Sequence, residues 1–282
     1  MLNIPPIRSR YRRWLYGLLA TVMAVSIIIS SPQVTYGQSW WRILQQGVQA
    51  IQLSSLSDQQ EVNLGKQINQ ELVKSGRIKL SQNRQLNQYV NEIGRRLIPY
   101  SDRPNIPYTF QVVNDNSINA FATMGGYVYF HTGLLKTASN EAELASVIAH
   151  EMGHIAGRHA IEQMRNSAVT QGLLGAAGLD QRTVVQIGVQ LAYNLPHSRK
   201  DELEADQMGL RMITQAGYAP SAMVSFMKKL MSSGGSPPAF LSTHPATSYR
   251  IEQLQASIDP RSANAGMGLD SQAYQSRIRS IL

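Results

Sequence analysis

Two histidines flank a glutamate at helical spacing in His150-Glu151-Met152-Gly153-His154. Residues i and i+4 of an α-helix share one face a turn apart, so both imidazoles can reach a single ion. Glu151 is rotated by about 100° from His150, which sets its carboxylate beside that ion, where it can hold a water. Metal-assisted hydrolysis is the chemistry this trio can do. A catalytic zinc takes three protein ligands and keeps a fourth position open. The chain contains no cysteine, so the third ligand cannot be a thiolate, and disulfides and cysteine nucleophiles are excluded as well.

Two places could supply that third ligand. Gly157 fits an extended H-E-x-x-H-x-x-G-x-x-H pattern, but Ala160 stands at its last position and His159 comes one residue early. On a continuous helix His159 falls about 180° round from His150 and faces away from the metal. The other source is the acidic run Asp201-Glu202-Leu203-Glu204-Ala205-Asp206, on a helix opened by Ser198 as N-cap. Glu202 and Asp206 share a face, whereas Glu204 points roughly 200° away from Glu202. Glu202 is therefore read as the third ligand. Asp206 can accept the distal N–H of a ligand histidine and so set its tautomer. An acid-rich helix start also complements the helix dipole by itself; the histidine pair is what favours the metal reading.

These residues need elements to hold them. Asn140 with Glu143 caps a helix expected to run to about Met164, with Leu144, Val147, Ile148 and Ile155 on its apolar side. Ser198 opens the acidic helix, which ends at Gly217. Upstream, Ser57 and Gln60 form a capping box before a helix carrying Val62, Ile68 and Leu72. A further helix carries Leu86, Val90, Ile93 and Leu97 and stops at Pro99. The period then changes, and 108–113 and 127–131 are the two expected strands. Between them, Gly125-Gly126 allows a tight turn or the close approach of another backbone. The Gly- and Ala-rich stretch 168–193 is broken by Asp180-Gln181-Arg182. Neither half is long enough to span a bilayer, and a helical hairpin or lid suits it better. Residues 222–231 and 247–258 are expected as helices, and 259–282 as a polar tail. The fold class is a helix-dominated α+β domain with a small sheet.

Composition needs care. The 282 residues carry 26 Lys+Arg against 18 Asp+Glu, a net charge of +8, and are 43% hydrophobic, enough for a sizeable core. A basic excess invites a nucleic-acid partner. Arg8, Arg10, Arg12 and Arg13, however, precede an apolar run at 14–29 and a small-residue exit ending at Thr35-Tyr36-Gly37. That is the layout of a secretory signal over 1–37, or of an uncleaved anchor at 14–29. Removing those four arginines leaves +4, an ordinary surface excess with neither a basic stripe nor a stacking platform, so nucleic acid is not expected. Trp40, Trp41, Leu44, Val48 and Ile51 recur at helical spacing. They predict a short amphipathic helix or linker over 38–56, with peripheral membrane association as one use of the tryptophan pair.

H-E-x-x-H followed by S-R-x-x-E-x-x-A-D resembles the HtpX and CAAX-prenyl-protease type of zinc metallopeptidase. Asn119-Ala120-Phe121-Ala122, Gly125-Gly126, Gly133-Leu134-Leu135, Glu143-Leu144-Ala145, and Thr243-His244-Pro245 with Arg250 add to the likeness, which covers about 57–258. It implies a zincin-like fold, one Zn²⁺ per chain in a gluzincin-type site (His150, His154, Glu202), and a cleft between the histidine helix and a sheet edge. The edge after Gly125-Gly126, starting at Tyr127, would pair with substrate backbone, with Asn119 nearby. Met124 stands where the family usually has proline. In BepA-type members the histidine of the H-P motif can approach the metal and close the site; His244 would inherit that role and Arg250 would help bind the tetrahedral oxyanion. His131 and His197 match no ligand position and read as structural or solvent-facing. The chain looks like a soluble exported member without membrane helices between the two motifs and without a tetratricopeptide domain.

The resulting reading is an exported, periplasmic or extracytoplasmic, zinc endopeptidase acting on unfolded or extended envelope polypeptides in quality control, with Glu151 as general base. The rival is a metal-stabilised chaperone or assembly factor that binds polypeptide and rarely cuts.

Overall fold

The structure, a computed structural model, describes residues 52–172, 179–194, 196–232, 237–245 and 247–282. The expected export signal, and the amphipathic helix as far as residue 51, lie outside the described residues. Among the described residues no helix is long and apolar enough to cross a membrane.

Helix α1 (Asp58–Lys74) begins at the expected capping box of Ser57 and Gln60. In α2 (Arg84–Leu97) the Asn83 side chain accepts from the Leu86 N–H, and Pro99 ends the element in a 3-10 turn. Three strands follow: β1 (Thr109–Val113), β2 (Ala120–Thr123) and β3 (Tyr127–His131), in the order β1-β3-β2. Strand β3 runs parallel to β1, with Thr109 beside Tyr127, and antiparallel to β2, with Phe121 beside Tyr129. The sheet is buried on both faces. Phe110, Val112, Val128 and Phe130 join the core with α2, while Val113, Phe121 and Tyr129 face α1 and the following helices. Strand β2 was not expected. Its Ala-Phe-Ala-Thr sequence is only four residues long and half alanine, so Phe121 and Thr123 give too short a run to read as a strand, and pairing with β3 makes it one.

A short α3 (Thr132–Thr137) leads to α4 (Glu141–Ala156), in which every residue from Ala142 to Ile155 is buried. Asn140 caps it by accepting from the Glu143 N–H. The helix expected to reach Met164 is instead two: the chain turns at Gly157 and at Arg158, whose φ is +57°, and restarts as α5 (His159–Thr170). A left-handed arginine needs support from outside. Here its guanidinium donates to Leu56 O at 2.6 Å and pairs with Glu61 at 3.2 Å. Helix α6 (Gln181–Asn194) occupies part of the stretch expected as a hairpin or lid.

Helix α7 (Arg199–Gln215) opens on a reciprocal cap of Ser198 and Asp201 and packs along α4 at backbone contact. A Cβ on Gly153 would lie 2.8 Å from Ala205 O, and one on Gly209 would lie 3.1 Å from His150 N. Two glycines thus let the histidine helix and the acidic helix touch. Helices α8 (Ser221–Ser232), α9 (Ala239–Thr243) and α10 (Ser248–Ser257) complete this side. The supposed polar tail is corrected by α11 (Ser271–Ile281), which buries Tyr274 and Ile278 against the core. The Tyr274 hydroxyl donates to Leu135 O at 2.7 Å.

Candidate metal centre

His150 and His154 leave one face of α4, Glu202 leaves the first turn of α7, and His244 follows α9; all four are buried. One donor atom from each lies within 4.8 Å of all the others. His150 Nε2 is 3.1 Å from His154 Nε2 and 3.3 Å from His244 Nδ1. Glu202 Oε1 is 3.3 Å from His154 Nε2 and 3.1 Å from His244 Nδ1. A tetrahedral zinc with bonds of about 2.0–2.1 Å sets its ligand atoms about 3.3–3.4 Å apart. The residues present therefore fit that ion in both donor type and spacing.

Electrostatics agree. Burial lowers the pKa of His150, but hydrogen bonding to Asp206 and Glu202 outweighs it and pushes the value up to about 10, so the pocket draws positive charge to this imidazole. Burial alone would raise the Glu202 carboxyl; His244 and the hydrogen bonds of the three histidines hold it well below the usual range. Asp206 Oδ1 lies 3.0 Å from His150 Nδ1, where the tautomer-setting partner was expected. Glu151 is fully buried, and burial pushes its carboxyl up. Neither of its oxygens has a hydrogen-bond partner, and Oε1 sits 3.4 Å from His244 Nε2.

Arg250, read as an oxyanion partner, meets the carboxylates of the centre. Its Nε and Nη2 each donate to Asp206 at 2.7 Å, Nη1 donates to Pro245 O at 2.9 Å, and Nη1 makes a charge contact with Glu202 at 2.5 Å. A fork so occupied holds Asp206 and Glu202 in place.

The strand read as a sheet edge is not one. Tyr127 begins β3, the central strand, whose two sides already pair with β1 and β2. Gly125 and Gly126, at φ +76° and +95°, form the turn before it, and Cβ atoms there would lie 2.8 Å from Glu61 O and Pro107 O. Among the described residues the outer side of β2 pairs with no other strand. Phe121, Ala122 and Thr123 border a cleft whose other walls are Leu191 and Ala192 of α6, with His197 and His244. Asn119 leads into this edge, and its buried Oδ1 has no partner.

Two histidines were missed. His197 stacks on His154 with ring centroids 3.9 Å apart and on His244 at 4.9 Å. His159 Nδ1 lies 2.8 Å from His154 Nδ1. Gly157 before His159 was the one signal of a helix break; nothing local points to His197. His131, buried and 2.7 Å from Ser117 Oγ, stands apart from the centre.

Residues 84–258, more than half of the chain, match Peptidase family M48, a span that holds all four clustered residues together with Glu151, Asp206 and Arg250. The chain belongs to that family. M48 peptidases depend on a metal ion, and the buried cluster is a place for one. The chain is 33% identical over 215 residues to the Beta-barrel assembly-enhancing protease of Escherichia coli strain K12, covering 70% of this chain and 44% of that protein. It is 36% identical over 182 residues to the Putative beta-barrel assembly-enhancing protease of Vibrio cholerae, covering 59% and 38%. It is 32% identical over 173 residues to the Mitochondrial metalloendopeptidase OMA1 of Schizosaccharomyces pombe, covering 59% and 51%. The chain thus spans about half or less of these M48 relatives.

Proposed function

We propose that this M48 member is an exported zinc-dependent endopeptidase that cleaves unfolded or extended envelope polypeptides in protein quality control. The observation that carries the chemistry is the set of His150, His154, Glu202 and His244 donor atoms spaced 3.1–3.3 Å apart along four edges, with Glu151 beside them. His150, His154 and Glu202 would hold the ion. When bound, it would act as a Lewis acid on a scissile carbonyl and on the attacking water. Glu151 would take the water's proton and deliver it to the departing amine. Asp206 keeps the proton of His150 on Nδ1 and leaves Nε2 as donor, while Arg250 steadies Asp206 and Glu202. Substrate would extend along the outer edge of β2, from Asn119 to Thr123, by backbone pairing.

His244 spans the site, with Nδ1 among the ligand atoms and Nε2 against Glu151. This arrangement suits a closed resting state that must move His244 aside before a substrate carbonyl enters. An export-type N-terminus and relatives named for β-barrel assembly support the envelope setting, with peripheral membrane attachment through the N-terminus. The test is casein digestion by the zinc-loaded chain, with and without chelator, beside Glu151→Gln. Zinc-loaded wild type that leaves casein intact while keeping it from aggregating refutes the peptidase reading.

A further inference from the structure

His150 has an ionised carboxylate, Asp206, on its distal nitrogen. His154 has none. Its Nδ1 faces the Nδ1 of His159 at 2.8 Å, and His159 is itself 1% exposed. Two ring nitrogens at that distance share one proton, so one donates and one accepts. If His154 offers its Nε2 lone pair to a metal, its proton sits on Nδ1, and His159 Nδ1 must accept it. The remaining proton of His159 then lies on Nε2. That atom makes no hydrogen bond and lies 3.7 Å from Glu204 Oε2, a charge contact only.

The backbone is shaped around this pair. On a continuous helix His159 would point away from His154; the left-handed Arg158, tied to Leu56 and Glu61, brings it back. Gly157 supplies the room, since a Cβ there would lie 2.3 Å from His159 Nε2. Strained non-glycine backbone persists only where its surroundings enforce it, and here it seats one imidazole behind another.

We propose that His159 is a positioning residue for the metal centre, accepting the His154 Nδ1–H so that His154 keeps the tautomer and ring orientation that present Nε2 to the ion. The inference rests on the proposed zinc site. Its test is zinc affinity of the full chain, measured by competition with a chromogenic chelator, together with thermal unfolding of each form in chelator. His159→Leu should bind zinc about 10–100-fold more weakly than wild type. His159→Asn, whose side-chain oxygen can replace Nδ1 as acceptor, should recover most of that loss, with metal-free midpoints of all three alike. Leu binding zinc as tightly as wild type overturns the proposal, and so does Asn failing as badly as Leu, which would make the role one of packing. Wild type that binds no zinc refutes the metal site itself instead. Should His159→Leu not fold, ¹⁵N imidazole shifts of the zinc-loaded wild type decide: protons on His154 Nδ1 and His159 Nε2 support the proposal, and a proton on His159 Nδ1 overturns it.

Discussion

Replacing Gly153 with alanine separates the assembly of the centre from the stability of the fold. The new Cβ would lie 2.8 Å from Ala205 O and 3.0 Å from Ala205 Cα, against an ordinary contact of 3.4 Å or more. The obstacle is helix backbone, so relief requires α7 to move by roughly 0.6 Å. Glu202 lies on the same helix one turn before Asp206 and moves with it. Metal–ligand distances tolerate only about ±0.2 Å. Without metal, the helices relax apart, and the better helix propensity of alanine returns about 1 kcal/mol. Binding zinc forces them together again, so the overpacking strain of about 1–3 kcal/mol falls on metal affinity, a loss of about 5- to 150-fold. Chelator competition should show that loss, while thermal unfolding in chelator shows a far smaller change. Equal zinc affinity in Gly153→Ala and wild type, with the metal-free fold unchanged, would refute the claim that helix contact sets the site.

Other expectations follow from the same geometry. Glu151→Gln should keep zinc and lose about 10²- to 10⁴-fold in casein cleavage; undiminished cleavage excludes Glu151 as the base. His244→Ala should raise basal cleavage severalfold, and lower or unchanged activity contradicts a closed resting state. Arg250→Met leaves Asp206 and Glu202 buried without their cation, at a cost of roughly 3–5 kcal/mol in the metal-free protein by urea unfolding; a cost under about 1 kcal/mol shows that the carboxylates do not depend on it. Burial lowers the pKa of His131, and the nearby Asp115 does not make up the difference. The unfolded chain therefore takes up a proton first, so the stability tied to neutral His131 is present above about pH 6.5 and lost as pH falls through the folded value. His131→Gln should flatten the decline of urea stability between pH 7.5 and 5; parallel curves for variant and wild type would argue against it.

Much of the centre is legible from spacing because helix geometry is local. His150 and His154 share a face of α4, Glu202 and Asp206 share a face of α7, and the caps at Ser57, Asn140 and Ser198 open their helices as read. Cysteine-free composition left only histidine and carboxylate as strong metal ligands. What spacing could not carry is whatever depends on a distant partner. Ala120–Thr123 becomes a strand because β3 pairs with it, which also makes β3, with Tyr127 at its start, the central strand and β2 an outer one among the described strands. Leu56 and Glu61, about a hundred residues upstream, hold Arg158 left-handed and so turn His159 toward His154. Arg250 appears as a surface charge in its own helix until Asp206 and Glu202 meet it from α7. The residue types and their helical phases determined the reaction class; the tertiary structure decided which groups surround it, since packing at Gly153 and Gly209 joins helices that nothing local connects.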